Sequence, residues 1–325
     1  MRGLKDLAAA LRRRLRPSLP PPGGEEVLQF IRDGHRFVWS PPEIRRQIQS
    51  HGINIVPADF YSNIPLIEDL ETTFEGAPTR RPVYDKVFDA ERIAAFLAGI
   101  APFAAEFIPP DEGDEAACSS FFWKNSQFSW TDAMAYYCIL RARKPKRVIE
   151  IGCGFSTLVA DAALRMNGSG EIIAIEPFPR PFLPRIGTVS EIIRARVQDI
   201  PRARVLDLVG GADILFIDST HTVKIGSDCL YLYLTVLPDV RSRLLVHSHD
   251  IFLPFGMPLD WARDRQIYWT EQYLLYAYLL QNPFARVVFG STYATEFLAA
   301  QTLSLMGGKC PPGGGSLWFE LNAGV

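Results

Sequence analysis

The chain of 325 residues lacks several features that would settle its class at once. It has no long apolar run. The longest stretch free of Asp, Glu, Lys and Arg, from Gln272 to Ala285, falls well short of the roughly 20 residues that span a bilayer, so no transmembrane segment is expected. It has no excess of one charge either. Its 34 Lys and Arg against 36 Asp and Glu leave a net charge of −2, which offers no general attraction for nucleic acid or anionic lipid and suits a small-molecule substrate. The first sixteen residues carry charge every few positions and lack the continuous apolar core of a secretory signal. The cysteines, Cys118, Cys138, Cys153, Cys229 and Cys310, are odd in number, widely spaced and never in a C-x-x-C pair. That excludes a disulfide framework and a cysteine-rich zinc site, and the expected location is the cytoplasm. Histidine is as scarce: there are five, and three of them fall within one short part of the chain.

What is present is apolar residue enough for a substantial core, 48% of the chain, with 22% charged, which excludes disorder and coiled coil. Residues 1–24 read as a basic helix followed by a Pro/Gly linker. Leu4, Leu7, Ala8, Leu11 and Leu15 keep helical spacing, Arg12, Arg13, Arg14 and Arg16 crowd the far end, and Pro17 to Gly24 cannot continue a helix. Residues 25–120 read as a helical cap, with helices over Glu25 to Arg32, Pro42 to Ser50 and Asp89 to Phe107 and an ordered loop from Gly52 to Glu75.

From residue 121 to 325 the pattern becomes one of short apolar strands alternating with helices. Val148 to Ile151, Ile172 to Ile175, Ile192 to Val197, Ile214 to Ile217, Leu244 to Val246, Arg286 to Phe289 and Ser316 to Glu320 are the expected strands. Helical periodicity fills Thr157 to Met166, Ser227 to Leu237 and the region of Glu271 to Leu280. This alternation predicts a doubly wound, Rossmann-like α/β sheet of seven strands.

The first strand ends in Glu150, Ile151, Gly152, Cys153, Gly154, followed by a helix start at Phe155, Ser156 and Thr157. A glycine turn between strand and helix lets backbone approach a ligand. A nicotinamide-dinucleotide fingerprint would carry a third glycine where Thr157 stands, which disfavours an NAD-dependent oxidoreductase. The acid-x-Gly-x-Gly form instead resembles the first motif of the class I S-adenosylmethionine-dependent methyltransferases. The resemblance covers about Phe121 to Glu320 and includes the Trp123 to Ala133, Trp269 to Leu275 and Gly314 to Phe319 segments.

The resemblance implies S-adenosylmethionine as cofactor, bound by Glu150, Gly152, Gly154, Ser156 and Thr157, by Glu176 through the ribose hydroxyls, and by Gln198 and Asp199 near the adenine. It also implies an antiparallel pair formed by the last two strands, and an acceptor pocket among aromatics such as Phe128, Trp130, Tyr136, Trp269 and Tyr273.

Asp218 and His221 follow the fourth strand, and His247, His249 and Asp250 close the fifth. Carboxylate and imidazole so grouped serve either general base catalysis or a divalent metal. Asp218 and His221 are the expected catalytic residues, activating an acceptor hydroxyl. In metal-dependent relatives, acids at comparable places hold magnesium, so Mg2+ or another divalent metal is expected on Asp218, His249 and Asp250. The chain departs from the catechol-type pattern, since His249-Asp250 replaces an Asp-Asn pair, and Phe252 stands where a binuclear hydrolase would need a further histidine. His247 is expected to be a satisfied buried histidine. The expected activity is O-methylation of a small-molecule or sugar-containing metabolite. The alternative is a regulatory module that keeps the cofactor fold without transfer activity. The sequence leaves the oligomeric state open.

Overall fold

The computed structural model describes residues 23–76, 82–115, 118–128, 130–309 and 311–323; the basic helix expected before residue 23 lies outside them. The chain divides after Glu71 into two units. The first carries helices α1 (Gly24–Gly34) and α2 (Pro42–Ser50), and α3 (Ile67–Thr72) closes it; none of the three holds a buried residue. Phe30, Ile31, Val38, Trp39 and Val56 line an apolar groove within this unit.

The second unit starts earlier than the expected boundary at residue 121. Helix α4 (Ala90–Ile100), capped by the Asp89 carboxylate on the Arg92 amide, buries Ile93, Leu97 and Ile100 in the same core as the sheet. The i, i+4, i+7 spacing of those residues gives the helix one apolar face, and the sheet covers it. Only the residues before Thr72 therefore stand apart as a unit of their own.

Seven strands form one sheet: β1 (Arg147–Ile151), β2 (Glu171–Ile175), β3 (Val189–Ile193), β4 (Ile214–Ile217), β5 (Leu244–Ser248), β6 (Ala285–Gly290) and β7 (Leu317–Leu321). Their order is β3-β2-β1-β4-β5-β7-β6. The first five run parallel, and β7 lies antiparallel between β5 and β6. The expected seven-stranded doubly wound sheet and its antiparallel final pair are thus present. The third strand lies earlier than its expected place at Ile192 to Val197. As the sheet edge it exposes Ser190 and Glu191, so its first half carries no apolar run, and Val197 belongs to the 3₁₀ turn that follows.

Alternate strand residues go to opposite faces, and both faces are buried. Val148, Ile172, Ala174, Ile214 and Phe216 pack with α4, α5 (Trp130–Arg143) and α6 (Phe155–Asn167). Ile149, Ile151, Ile173, Ile175, Leu215 and Ile217 pack with α7 (Arg202–Gly210) and α8 (Asp228–Tyr231), which runs on through a π turn at Leu232–Val236. Between β5 and β6 come α9 (Leu259–Arg265) and α10 (Glu271–Leu279); α11 (Ser291–Phe297) and α12 (Ala299–Met306) precede β7. Among the described residues no helix is long and apolar enough to cross a membrane.

The strand order reverses between β1 and β4, the place where a doubly wound sheet opens a crevice at the carboxyl ends of its strands. There Gly152 has φ +82°, and a β-carbon on it would lie 1.6 Å from the Asp218 carbonyl oxygen. Glycine is required at this point by the neighbouring strand end, whereas at Gly154 a β-carbon would meet nothing nearer than the Arg180 guanidinium at 3.7 Å. A Gly152→Ala substitution is expected to cost roughly 3 kcal/mol or more, since both steric overlap and positive φ oppose it; urea denaturation of the two proteins measures the difference, with a Gly154→Ala variant as the milder comparison.

Candidate functional site

Helix α5 brings Tyr136 under the end of β1, where strand alternation turns the Glu150 side chain into the apolar face rather than toward the crevice. The carboxylate is fully buried. It accepts the Tyr136 hydroxyl at 3.0 Å on one oxygen and the Thr157 hydroxyl at 2.5 Å on the other, and Thr157 Oγ1 in turn accepts the Gly154 amide at 3.1 Å. Burial pushes the Glu150 carboxyl up to about 7, and the two hydroxyls oppose that only in part. Glu150 and Thr157 thus act as a brace beneath the glycine turn. Ser156 is also buried, in the first turn of α6.

Glu176, just past β2, faces the same turn. It accepts the Cys153 amide at 3.3 Å and the Phe178 amide at 2.8 Å, which holds its buried carboxylate against the glycine turn. Gln198 is half-buried with Nε2 on the Gly226 carbonyl at 3.5 Å, while its Oε1 is buried and has no protein partner. An orphaned buried acceptor of this kind fits a donor supplied by a ligand. Asp199, next along, is exposed and bridged by Arg196 at 2.6 and 2.8 Å.

The second group gathers at the ends of β4 and β5. His221 Nε2 lies 3.2 Å from Asp218 Oδ1 and 3.5 Å from Asp250 Oδ2. His249 Nδ1 lies 3.6 Å from each of the same two oxygens. Both His221 and Asp250 have positive φ, +58° and +54°, an uncommon backbone state that aims their side chains into one crevice. Asp218, His221 and Asp250 can each offer one atom to a common metal ion.

Charge governs this group. Burial would raise Asp218, yet the facing imidazoles of His249 and His221 hold it well below the usual carboxylate range. Burial would likewise lower His221, but its hydrogen bonds to Asp218 and Glu271 lift it to about 10. His249 is raised well above the ordinary imidazole value against burial, through Asp250, Asp218 and Asp132. Four carboxylates therefore surround two imidazoles, an excess of negative charge that favours a cation.

Two of those carboxylates were absent from the sequence expectation. Glu271, the first residue of α10, is buried; its Oε2 lies 3.0 Å from His221 Nδ1 and its Oε1 accepts the Tyr233 hydroxyl at 2.6 Å. Asp132, buried in α5, lies 3.3 Å from His249 Nε2 and accepts Ser291 Oγ and the Gly315 and Ser316 amides at 2.6, 2.9 and 3.0 Å. A β-carbon on Gly314 would fall 2.4 Å from the Asp132 carboxylate, so the Gly-rich run before β7 is shaped around this acid. An acid within a helix that is buried nearly all round was the signal available for Asp132.

His247 is fully buried, bonded through Nε2 to Ser316 Oγ at 2.8 Å and stacked on Phe216, with Nδ1 unpartnered. Burial, then the charge of His249, keeps it neutral. Of the expected pocket aromatics, Phe128 and Tyr136 are buried in the core, and Tyr273 is tied to Glu75 at 2.9 Å. Trp269 remains available: it packs 4.5 Å from the His221 ring and continues through Trp261 to Phe252, a half-buried aromatic wall.

Residues 149–251 match a family model described as a methyltransferase domain. An uncharacterized protein of Archaeoglobus fulgidus is 31% identical over 153 residues, which cover 44% of this chain and 69% of that protein. Among solved structures, a putative O-methyltransferase from Klebsiella pneumoniae aligns with 74% of this chain and 94% of its own at 14% identity and TM-score 0.35. The O-methyltransferase from Bacillus cereus, in complex with SAH, aligns with 70% of this chain and 90% of its own at 12% identity and TM-score 0.35.

The brace under the glycine turn has a measurable signature. The Glu150 carboxyl ordinarily titrates near 4.5 and here near 7, so between those values the folded chain holds a proton that the unfolded chain has released. Stability falls as pH rises through that window, by roughly 3 kcal/mol from this group. In Glu150→Gln this part of the fall should vanish; the stability difference between variant and wild type, measured by urea denaturation at about pH 5 and pH 8, should move by that amount in favour of glutamine.

Proposed function

The chain belongs to the class I S-adenosylmethionine-dependent methyltransferases, and we propose that within this family it methylates a hydroxyl oxygen of a small-molecule or sugar-containing metabolite. One observation carries the reading: the Asp218, His221, His249 and Asp250 group opens at the strand ends next to the glycine turn, with the Asp218 backbone in contact with Gly152. A cofactor subsite and a group that handles protons or cations therefore share one crevice.

S-adenosylmethionine, when bound, supplies the methyl group from its sulfonium. Glu176 takes the ribose hydroxyls side by side, as a carboxylate suits a vicinal diol. Gln198 Oε1 takes a donor from the adenine end, consistent with its lack of a protein partner. Gly152 and Gly154 keep the turn low, Ser156 and Thr157 open the helix above it, and Glu150 positions that turn from below. Asp199, engaged by Arg196, borders the adenine side.

At the other end of the crevice, Asp218 and His221 hold and polarise the acceptor's hydroxyl, whose proton leaves to solvent as its oxygen attacks, and Glu271 fixes the imidazole in place. Asp218, His221 and Asp250 fit a divalent ion, and such an ion, when bound, would lower the pKa of a hydroxyl. The Trp269, Trp261 and Phe252 wall gives a flat or sugar-ring acceptor a surface to lie on beside His221.

Calorimetric titration with S-adenosylmethionine and its demethylated product should show one site, weakened about 10- to 100-fold in Glu176→Gln by loss of a charge-assisted hydrogen bond. With a donor bearing an isotopically labelled methyl group and a panel of hydroxylated metabolites, label should appear on oxygen. Asp218→Asn should lower turnover by about 10²-fold or more while leaving cofactor affinity near wild type. Label on nitrogen or carbon would refute the oxygen assignment, and absence of cofactor binding would refute the whole reading.

A further inference from the structure

Two carboxylates facing each other across a crevice are by themselves only an acidic cluster. His249 adds something more specific. It is 5% exposed, its Nδ1 has no hydrogen-bond partner, and that nitrogen faces Asp218 and Asp250 at equal distances of 3.6 Å. His221 mirrors it from the other side, with Nε2 at 3.2 and 3.5 Å from the same two oxygens.

We infer that Asp218, His221, His249 and Asp250 form one four-ligand centre that selects a borderline transition-metal ion, of the Zn2+ or Co2+ kind, over magnesium. This rests on the metal-bearing part of the function proposed above and names the class of ion. Three features of the four residues support it.

The first is spacing. Ligand atoms about 2.0–2.1 Å from a tetrahedral ion lie roughly 3.3 Å from one another. The four imidazole–carboxylate separations here run from 3.2 to 3.6 Å, and Asp218, His221 and Asp250 already offer atoms within 4.8 Å of one another, so an ion held by these three needs His249 to close in on it to complete the four. The second is donor type. Half of the donor atoms are imidazole nitrogens; magnesium prefers oxygen and keeps several waters, whereas imidazole suits the later first-row ions and zinc.

The third is the backing of each ring. A metal-ligating histidine characteristically gives its other N–H to a carboxylate, which fixes the tautomer and strengthens the ligand. Both rings have such a partner, on opposite nitrogens. Glu271 faces Nδ1 of His221 at 3.0 Å and leaves Nε2 for the ion; Asp132 faces Nε2 of His249 at 3.3 Å and leaves Nδ1. Asp132 is itself held by Ser291, Gly315 and Ser316, and Glu271 by Tyr233. Glu271 and Asp132 are accordingly positioning residues, placed to present two ring nitrogens to one point.

The test uses the full chain stripped of metal and titrated calorimetrically with Co2+ and, separately, with Mg2+. One Co2+ should bind per chain, about 100-fold or more tighter than Mg2+. In the proton NMR spectrum of the Co2+-loaded wild type, two strongly shifted, solvent-exchangeable resonances are expected, from the backed N–H of each ring. His249→Gln should retain one of them, and Asp132→Asn should weaken Co2+ binding about 10- to 100-fold. The wild-type spectrum needs no variant to fold: a single shifted exchangeable resonance overturns His249 as a ligand. Mg2+ binding as tight as Co2+ overturns the class of ion. Failure to take up Co2+ removes the centre altogether, and S-adenosylmethionine binding by the same sample tells that result apart from failure of the methyltransferase reading.

Discussion

The closest constraint in the molecule is the contact between two strand ends. The Asp218 carbonyl oxygen occupies the space that any side chain on residue 152 would need. Because β1 and β4 are hydrogen-bonded neighbours, with the Asp218 amide on the Ile151 carbonyl at 2.8 Å, the glycine turn and the first acid of the second group cannot be separated. In the proposed function the turn holds the cofactor on one side of this contact and the acids meet the acceptor on the other. Any acceptor that reaches Asp218 is thereby within reach of whatever the turn holds, and proximity of this kind removes much of the entropic cost of bringing two reactants together.

Around that contact, buried charge is used in two different ways. Glu150 is surrounded by hydroxyl donors and apolar rings and leans toward its neutral form. Asp132 and Glu271 are equally buried but face imidazoles, and Asp132 is held low in spite of its burial. The difference lies in the partner: a hydroxyl satisfies a carboxylate without compensating its charge, whereas an imidazole does both. Burying unpaired charge is costly, so an arrangement of four carboxylates about two rings persists only with protons or a cation present.

The parts of the fold that depend on period and punctuation were legible in the sequence. Apolar runs buried on both faces marked six of the seven strands within two residues of each end, and Gly152 and Gly154 marked the turn. The edge strand β3 was displaced because one of its sides faces solvent, so apolar continuity is no guide to it. Helix α4 reads the same in sequence whether its apolar face meets a cap or the sheet, and only tertiary packing places it with the sheet. In the site, residues adjacent to strand ends could be found, since topology sends those ends to one place. Asp132 and Glu271 could not be assigned roles, because each comes from a helix far away in sequence, and which ring a helical acid meets is decided by packing. The three residues able to offer atoms to one point, Asp218, His221 and Asp250, share two members with the expected metal set of Asp218, His249 and Asp250; His221 takes the place of His249 because its ring sits nearer the two acids.

The insertion of β7 between β5 and β6 has a consequence for timing. Gly315 and Ser316, on the approach to β7, hold Asp132, and Asp132 in turn orients His249. Every residue that lines the crevice, through Glu271, precedes this segment in the chain. During synthesis the His249 ring therefore gains its full backing only after the last strand has emerged, whereas His221 has its own in Glu271 and Tyr233 before then. A chain cut short before this segment would keep His249 yet lack two of the amides that steady the acid behind it.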